Sequence, residues 1–109
     1  MIAVVVVRAG QLPAGGAEAV AECAGRALLV GSGLADAAAE LSGIATELTL
    51  VELGDFLPAA WAHAIAPLLT AQDGIVLPGS PDGRDLAPRL ATLLHRPLHA
   101  GATSITTQR

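Results

Sequence analysis

The sequence contains no lysine and no tyrosine, and Phe56 and Trp61 are its only aromatic residues. Without lysine there is no ammonium to reach the phosphates of a bound nucleotide, so P-loop chemistry is excluded. Phosphoacceptor signalling domains of similar size are excluded as well: they need a lysine after the fifth strand and clustered aspartates after the first. All six cations are arginines, set against ten acids, for a net charge of −4. Such a chain does not attract a phosphate backbone or an anionic membrane surface, and a nucleic-acid partner is not expected. Cys23 stands alone, so no internal disulfide can form, which fits a reducing compartment. It lies among alanines in a helical pattern and reads as a buried, inert thiol. The apolar run Ile2 to Val7 is too short to span a membrane. It also lacks the basic flank and cleavage site of a signal peptide. A cytoplasmic protein with no membrane insertion is expected.

What the chain has in excess is small apolar residues. Hydrophobic residues make up 52% and charged residues 15%, and 23 of the 109 residues are alanine. Disorder does not fit that balance. The core it offers is nevertheless thin, and a partner could cover apolar surface that the chain's own helices leave open. Length fits one domain spanning 1–109.

Short β-branched runs alternate with helical periodicity. Ile2 to Val7 is apolar at every position, the mark of a strand covered on both faces. After the loop from Gly10 to Gly16, Ala17, Val20, Ala21 and Ala24 set a helical face that stops at Gly25. Ala27 to Val30 is a second strand, and Ser32 can cap a helix whose face is Leu34, Ala37, Ala38 and Leu41. The third strand, Thr46 to Leu53, alternates and so belongs near a sheet edge. Pro58 opens a third helix with Trp61, Ile65, Leu68 and Leu69 buried, and Pro67 is expected to kink it or end it early. Gly74 to Pro78 is a fourth strand. A loop from Gly79 to Gly83 follows, then a helix starting near Asp85, because Pro88 fits only a first turn. Pro97-Leu98-His99-Ala100 is a weak fifth strand, and the tail from Thr103 shows no helical pattern. This alternation predicts a doubly wound, three-layer α/β/α fold with a mostly parallel sheet. With no closing helix after strand five, the domain reads as truncated there.

In such folds ligands bind beyond the carboxyl ends of the strands, so motifs are weighed there. Arg8-Ala9-Gly10 is too sparse for a phosphate cradle. Gly31-Ser32-Gly33 begins like a dinucleotide fingerprint, but the third small position is Asp36, an acid that would repel pyrophosphate. Ser32 and Ser80 lie in no nucleophile elbow and have no histidine in pattern. His95 and His99 are separated by Pro97, which breaks the helix that would align them on a metal, and His63 reads as half exposed beside Trp61. Gly79, Ser80, Asp82, Gly83, Arg84 and Asp85 form the stretch with most character. It reads either as a loop with Asp82 or Asp85 capping a helix, or as a helix N-terminus that once held an anion; Asp82 and Asp85 compete for the same donors, which favours the first.

The segment Gly83-Arg84-Asp85-Leu86-Ala87-Pro88-Arg89-Leu90-Ala91 resembles the α subunit of electron-transfer flavoproteins, where a glycine, a base and an acid precede Leu-Ala-Pro-Arg-Leu-Ala. The apolar first strand, Leu28-Leu29-Val30-Gly31-Ser32-Gly33 and a strand ending before Ser80 agree with it, and the whole looks especially like the α subunits associated with mycofactocin systems. The resemblance implies an adenine-nucleotide-hydrolase-like (Rossmann-like) N-terminal domain, without catalytic residues, in a heterodimeric electron carrier. It implies docking on a β subunit, which binds AMP at the site equivalent to the loop before the Gly83 helix, whereas α subunits generally leave it empty. FAD would sit in a separate C-terminal domain, absent from these 109 residues, and take electrons from a dehydrogenase. Two other functions compete: a stand-alone adenine-nucleotide-binding domain, and a small hydrolase on a flavodoxin-like sheet, which lacks a nucleophile–base pair.

Overall fold

The computed structural model describes residues 1–96 and 104–106. Nine elements follow one another: β1 (Ile2–Val7), α1 (Gly16–Glu22), β2 (Arg26–Gly31), α2 (Leu34–Glu40), β3 (Glu47–Glu52), α3 (Pro58–Leu69), β4 (Gly74–Val76), α4 (Pro81–Leu94) and β5 (Ser104–Thr106). The sheet order is β3-β2-β1-β4-β5. The first four strands are parallel, and β5 lies antiparallel to β4 at the edge.

β1 is central because all six of its side chains are apolar, and all six are buried. Ile2, Val4 and Val6 enter one core with Leu28, Val30, Ile65, Leu86 and Leu90, beneath α3 and α4. Ala3, Val5 and Val7 enter the other with Val20, Leu29, Ala37 and Leu41, beneath α1 and α2. The period of two along the strand thus feeds both faces from one segment. Full burial of a valine or leucine is worth roughly 1.5–3 kcal/mol, which sets the core far above any surface ion pair. Successive strands run outward from β1 through β2 to β3, and the chain then crosses back to β4 on β1's other side. That reversal puts α1 and α2 on one face and α3 and α4 on the other, with the switch point between β1 and β4. The three-layer α/β class expected from the sequence is the one found.

Several local expectations are corrected. α4 begins at Pro81, not near Asp85, and continues through Pro88. Ser80 is its N-cap, its Oγ accepting from the Gly83 N–H at 3.2 Å. Neither Asp82 nor Asp85 caps it. A cap plus a proline at the first position nucleates the helix early, and burial of Leu86 and Leu90 outweighs the single bond that Pro88 removes. α3 likewise passes Pro67 and ends two residues later at Leu69. Leu68 is 51% exposed, although Trp61, Ile65 and Leu69 are buried as expected. In α1 the buried positions are Gly16, Ala19 and Val20, with Cys23 buried just past its end, while Ala21 and Ala24 are exposed. A run of alanines carries too little amphipathic contrast to fix the phase. The fourth strand forms only over Gly74–Val76, with Leu77 and Pro78 buried beyond the ladder. The strand expected at Pro97–Ala100 lies outside the described residues, and β5 forms later, in the tail.

β2 ends where two backbones touch. Gly31 has φ +138°, and a Cβ placed on it would lie 1.9 Å from the Val7 carbonyl oxygen. No side chain fits without displacing the central strand. Gly31→Ala is therefore expected to cost about 2–4 kcal/mol, measured by urea unfolding followed through Trp61 fluorescence. An unchanged midpoint would show that β1 and β2 can separate freely at this point.

Candidate functional site

The carboxyl ends of β1, β2 and β4 meet the turns that follow them. The Ser32 N–H donates to the Val7 carbonyl at 3.1 Å, and the Ser32 carbonyl accepts from the Gly10 N–H at 2.9 Å. Its hydroxyl accepts from the Ala9 N–H at 3.0 Å. Ser32 therefore staples the turn after β1 and does not cap α2. Gly33 takes the cap position at φ +68°, and a Cβ there would lie 2.3 Å from the Gly10 nitrogen. The Gly33 N–H goes to the Glu52 carboxylate at 3.2 Å. Asp36 packs directly against Gly10. The Gly31-Ser32-Gly33 turn is thus committed to holding two loops together, and an acid sits where pyrophosphate would approach.

Across the switch point the Arg8 guanidinium, at the end of β1, donates to both carboxylate oxygens of Asp82 in the first turn of α4, each at 2.8 Å. The carboxylate at a helix N-terminus is favoured by the helix dipole, and the bidentate pairing fixes its direction. Asp82, through that bond and its charge, raises the Arg8 pKa above its ordinary value. The Arg8 guanidinium also stands 5.1 Å from the centre of the Phe56 ring. Phe56 meets Trp61 edge-on, with ring centres 4.9 Å apart, and the Trp61 indole N–H donates to the Asp55 carbonyl at 3.0 Å. A small pocket of about 240 Å³ lies here, walled by Arg8, Ala9, Ser32, Asp55, Phe56 and Trp61.

The residues singled out from the sequence separate into two groups. Ser80, Asp82 and Gly83 face the strand ends: Ser80 as cap, Asp82 on Arg8, and Gly83 against the Pro78 carbonyl, which a Cβ would approach to 2.3 Å. Pro81 has no N–H to offer an anion, and that of Gly83 is already taken by Ser80. Arg84 and Asp85 instead line an outer groove between α3 and α4, with Arg84 reaching back beside Gly79. His63 lies on that groove and is exposed, not half-buried. Among the described residues no three of His, Cys, Asp or Glu gather to hold a metal ion. His99 lies outside them, so the His95–His99 pair has no described geometry.

The electron transfer flavoprotein domain family matches residues 14–109. The chain belongs to that family. The match takes in α1 to β5, and so includes the Gly83–Ala91 segment and the Ser80 cap. Comparison with curated proteins and with solved structures gave no match. An electron transfer flavoprotein domain points to carriage of electrons and not to catalysis of a reaction of its own, within an assembly of the same type. No helix among the described residues is long and apolar enough to cross a membrane.

Sequence reasoning missed Arg8 and Phe56 as parts of this site. A signal for Arg8 existed: it is the first polar residue after a wholly apolar strand, and strand ends are where these folds place ligand contacts. Phe56 carried no such signal, because the Arg8 guanidinium it faces comes from the far end of β1, 48 positions earlier. Cys23 behaves as the sequence indicates. It is 2% exposed, and burial pushes its thiol pKa up. At pH 8 the native electron transfer flavoprotein domain should therefore react with a thiol reagent at least tenfold more slowly than the urea-unfolded chain. Equal rates, read by mass spectrometry, would place the thiol at the surface.

Proposed function

We propose that this chain is the N-terminal scaffold domain of an electron-transfer flavoprotein α subunit. It docks on the β subunit of a flavin-based electron carrier that draws on a dehydrogenase, and FAD is held outside this domain. The Arg8–Asp82 pair carries the proposal. A nucleotide-binding relative of such a fold needs a cation and free N–H donors at the switch point. Here Asp82 satisfies the cation with both oxygens, the Ser80 hydroxyl uses one donor, and Pro81 supplies none. Gly79 to Asp85 is then a vestigial nucleotide loop occupied by the protein's own carboxylate. A domain filled in this way serves by shape and by the surface it presents. The α-subunit resemblance of Gly83 to Ala91 supports the same assignment.

Two measurements test it. Titration calorimetry with AMP is expected to show no saturable heat at millimolar nucleotide, whereas a stand-alone adenine-nucleotide-binding domain would give a saturable isotherm. Co-expression with candidate β subunits is expected to yield a co-purifying complex. A saturable AMP isotherm together with a solitary, well-folded monomer would replace the scaffold assignment with the nucleotide-binding one.

A further inference from the structure

The two helical layers differ in charge. α1 and α2 carry Glu18, Glu22, Asp36 and Glu40 and no base. α3 and α4 enclose an open groove of about 490 Å³ with Ala62 and Pro88 in its walls and His63, Arg84, Asp85 and Arg89 among its polar residues. Among the described residues, no hydrogen bond or ion pair engages the side chain of Arg84 or Arg89. The other described arginines are all committed: Arg8 to Asp82, Arg26 to Glu47 and Gln72, and Arg96 to the carbonyls of Thr70 and Gln72. Among the described residues, uncommitted arginine charge is therefore concentrated on one groove of a chain whose net charge is −4.

From this charge pattern we infer that the α3–α4 groove docks an acidic segment of the companion subunit, with carboxylates meeting Arg84 and Arg89. The inference rests on the scaffold proposal and names the surface it uses. Arg84 and Arg89 lie five positions apart on α4, about 7.5 Å of helix rise and about 140° around its axis, so they meet two separate carboxylates of the partner and not one. Asp85 lies between them, repels a continuous run of acids, and sets the register by favouring a neutral or basic partner residue opposite it. Arginines around small apolar residues, with no buried polar side chain, have the composition of a protein interface. A small anion would need several converging donors in an enclosed site. A second copy could offer its acidic α1–α2 face, but that head-to-tail contact does not close and tends toward filaments.

The test uses the chain co-expressed with its companion subunit, comparing wild type, R84E/R89E, D85N, and E18Q/E40Q on the opposite layer. The dissociation constant is measured at about 50 and about 300 mM NaCl, where screening differs strongly. R84E/R89E is expected to weaken binding at least about tenfold at low salt, and the gap should narrow at high salt. D85N should tighten binding, about twofold or more, a gain that damage to the fold would not produce. E18Q/E40Q should leave it unchanged. Wild-type binding that R84E/R89E and D85N both leave unaltered would overturn the groove assignment alone. Failure of the wild type to bind would overturn the scaffold proposal along with it. Concentration-dependent self-association abolished by E18Q/E40Q would show that the groove holds a second copy instead.

Discussion

The burial of β1 on both faces is the constraint from which the other elements take their places. A strand with six apolar side chains has no face to give to water, so it must lie between two helical layers. Its even-numbered residues then require α3 and α4, and its odd-numbered residues α1 and α2. A sheet that grows on both sides of its first strand must reverse direction there. The carboxyl end of β1 thereby becomes the crevice of the fold, and Arg8 stands in it because it is the first residue after the buried run.

What this chain does with the crevice follows from competition for donors and charge. A helix N-terminus and a strand-end arginine together attract any anion. Asp82 is such an anion, held permanently at high effective concentration, and an external phosphate would have to displace it from a bidentate pairing. Asp36 packed against Gly10 adds a second negative charge near the turn after β1. Neither effect is large in energy, since Arg8 is well exposed, but both act in the same direction at the same place. The pair matters less for stability than for occupancy.

The fold class was legible because its signals are strong ones: an unbroken apolar strand, glycines at forced turns, and leucines spaced along α4. What was not legible involved residues whose own preferences are weak or contradictory. Alanines in α1 left the helix phase undetermined. Pro88 predicted a late start for α4, because a local rule about proline cannot weigh the burial of Leu86 and Leu90 or the Ser80 cap. Ser32 looked like a cap because serine at that position usually is one, yet the Ala9 N–H, 23 positions away, reached its hydroxyl first. The candidate site was legible only in part. Asp82 was visible as an acid near a helix start, but its partner lies 74 positions away and no local pattern connects them.

The edges of the sheet bear on where a partner can bind. An open strand edge invites pairing by another chain, and β3 is such an edge, with Leu50 49% exposed. Glu47 and Glu52 stand at its two ends, one engaged by Arg26 and the other by the Gly33 N–H, so the ends of the edge are charged and fixed. The opposite edge is the three-residue β5, which runs antiparallel to β4. Extension of the sheet is thus discouraged on one side and, on the other, would have to build on a short antiparallel strand. The remaining broad surfaces are the two helical layers, and one of them is uniformly acidic. A partner that binds through the other meets Arg84 and Arg89, whose side chains no contact among the described residues claims, and this difference between the layers is what the proposed docking on the α3–α4 groove draws on.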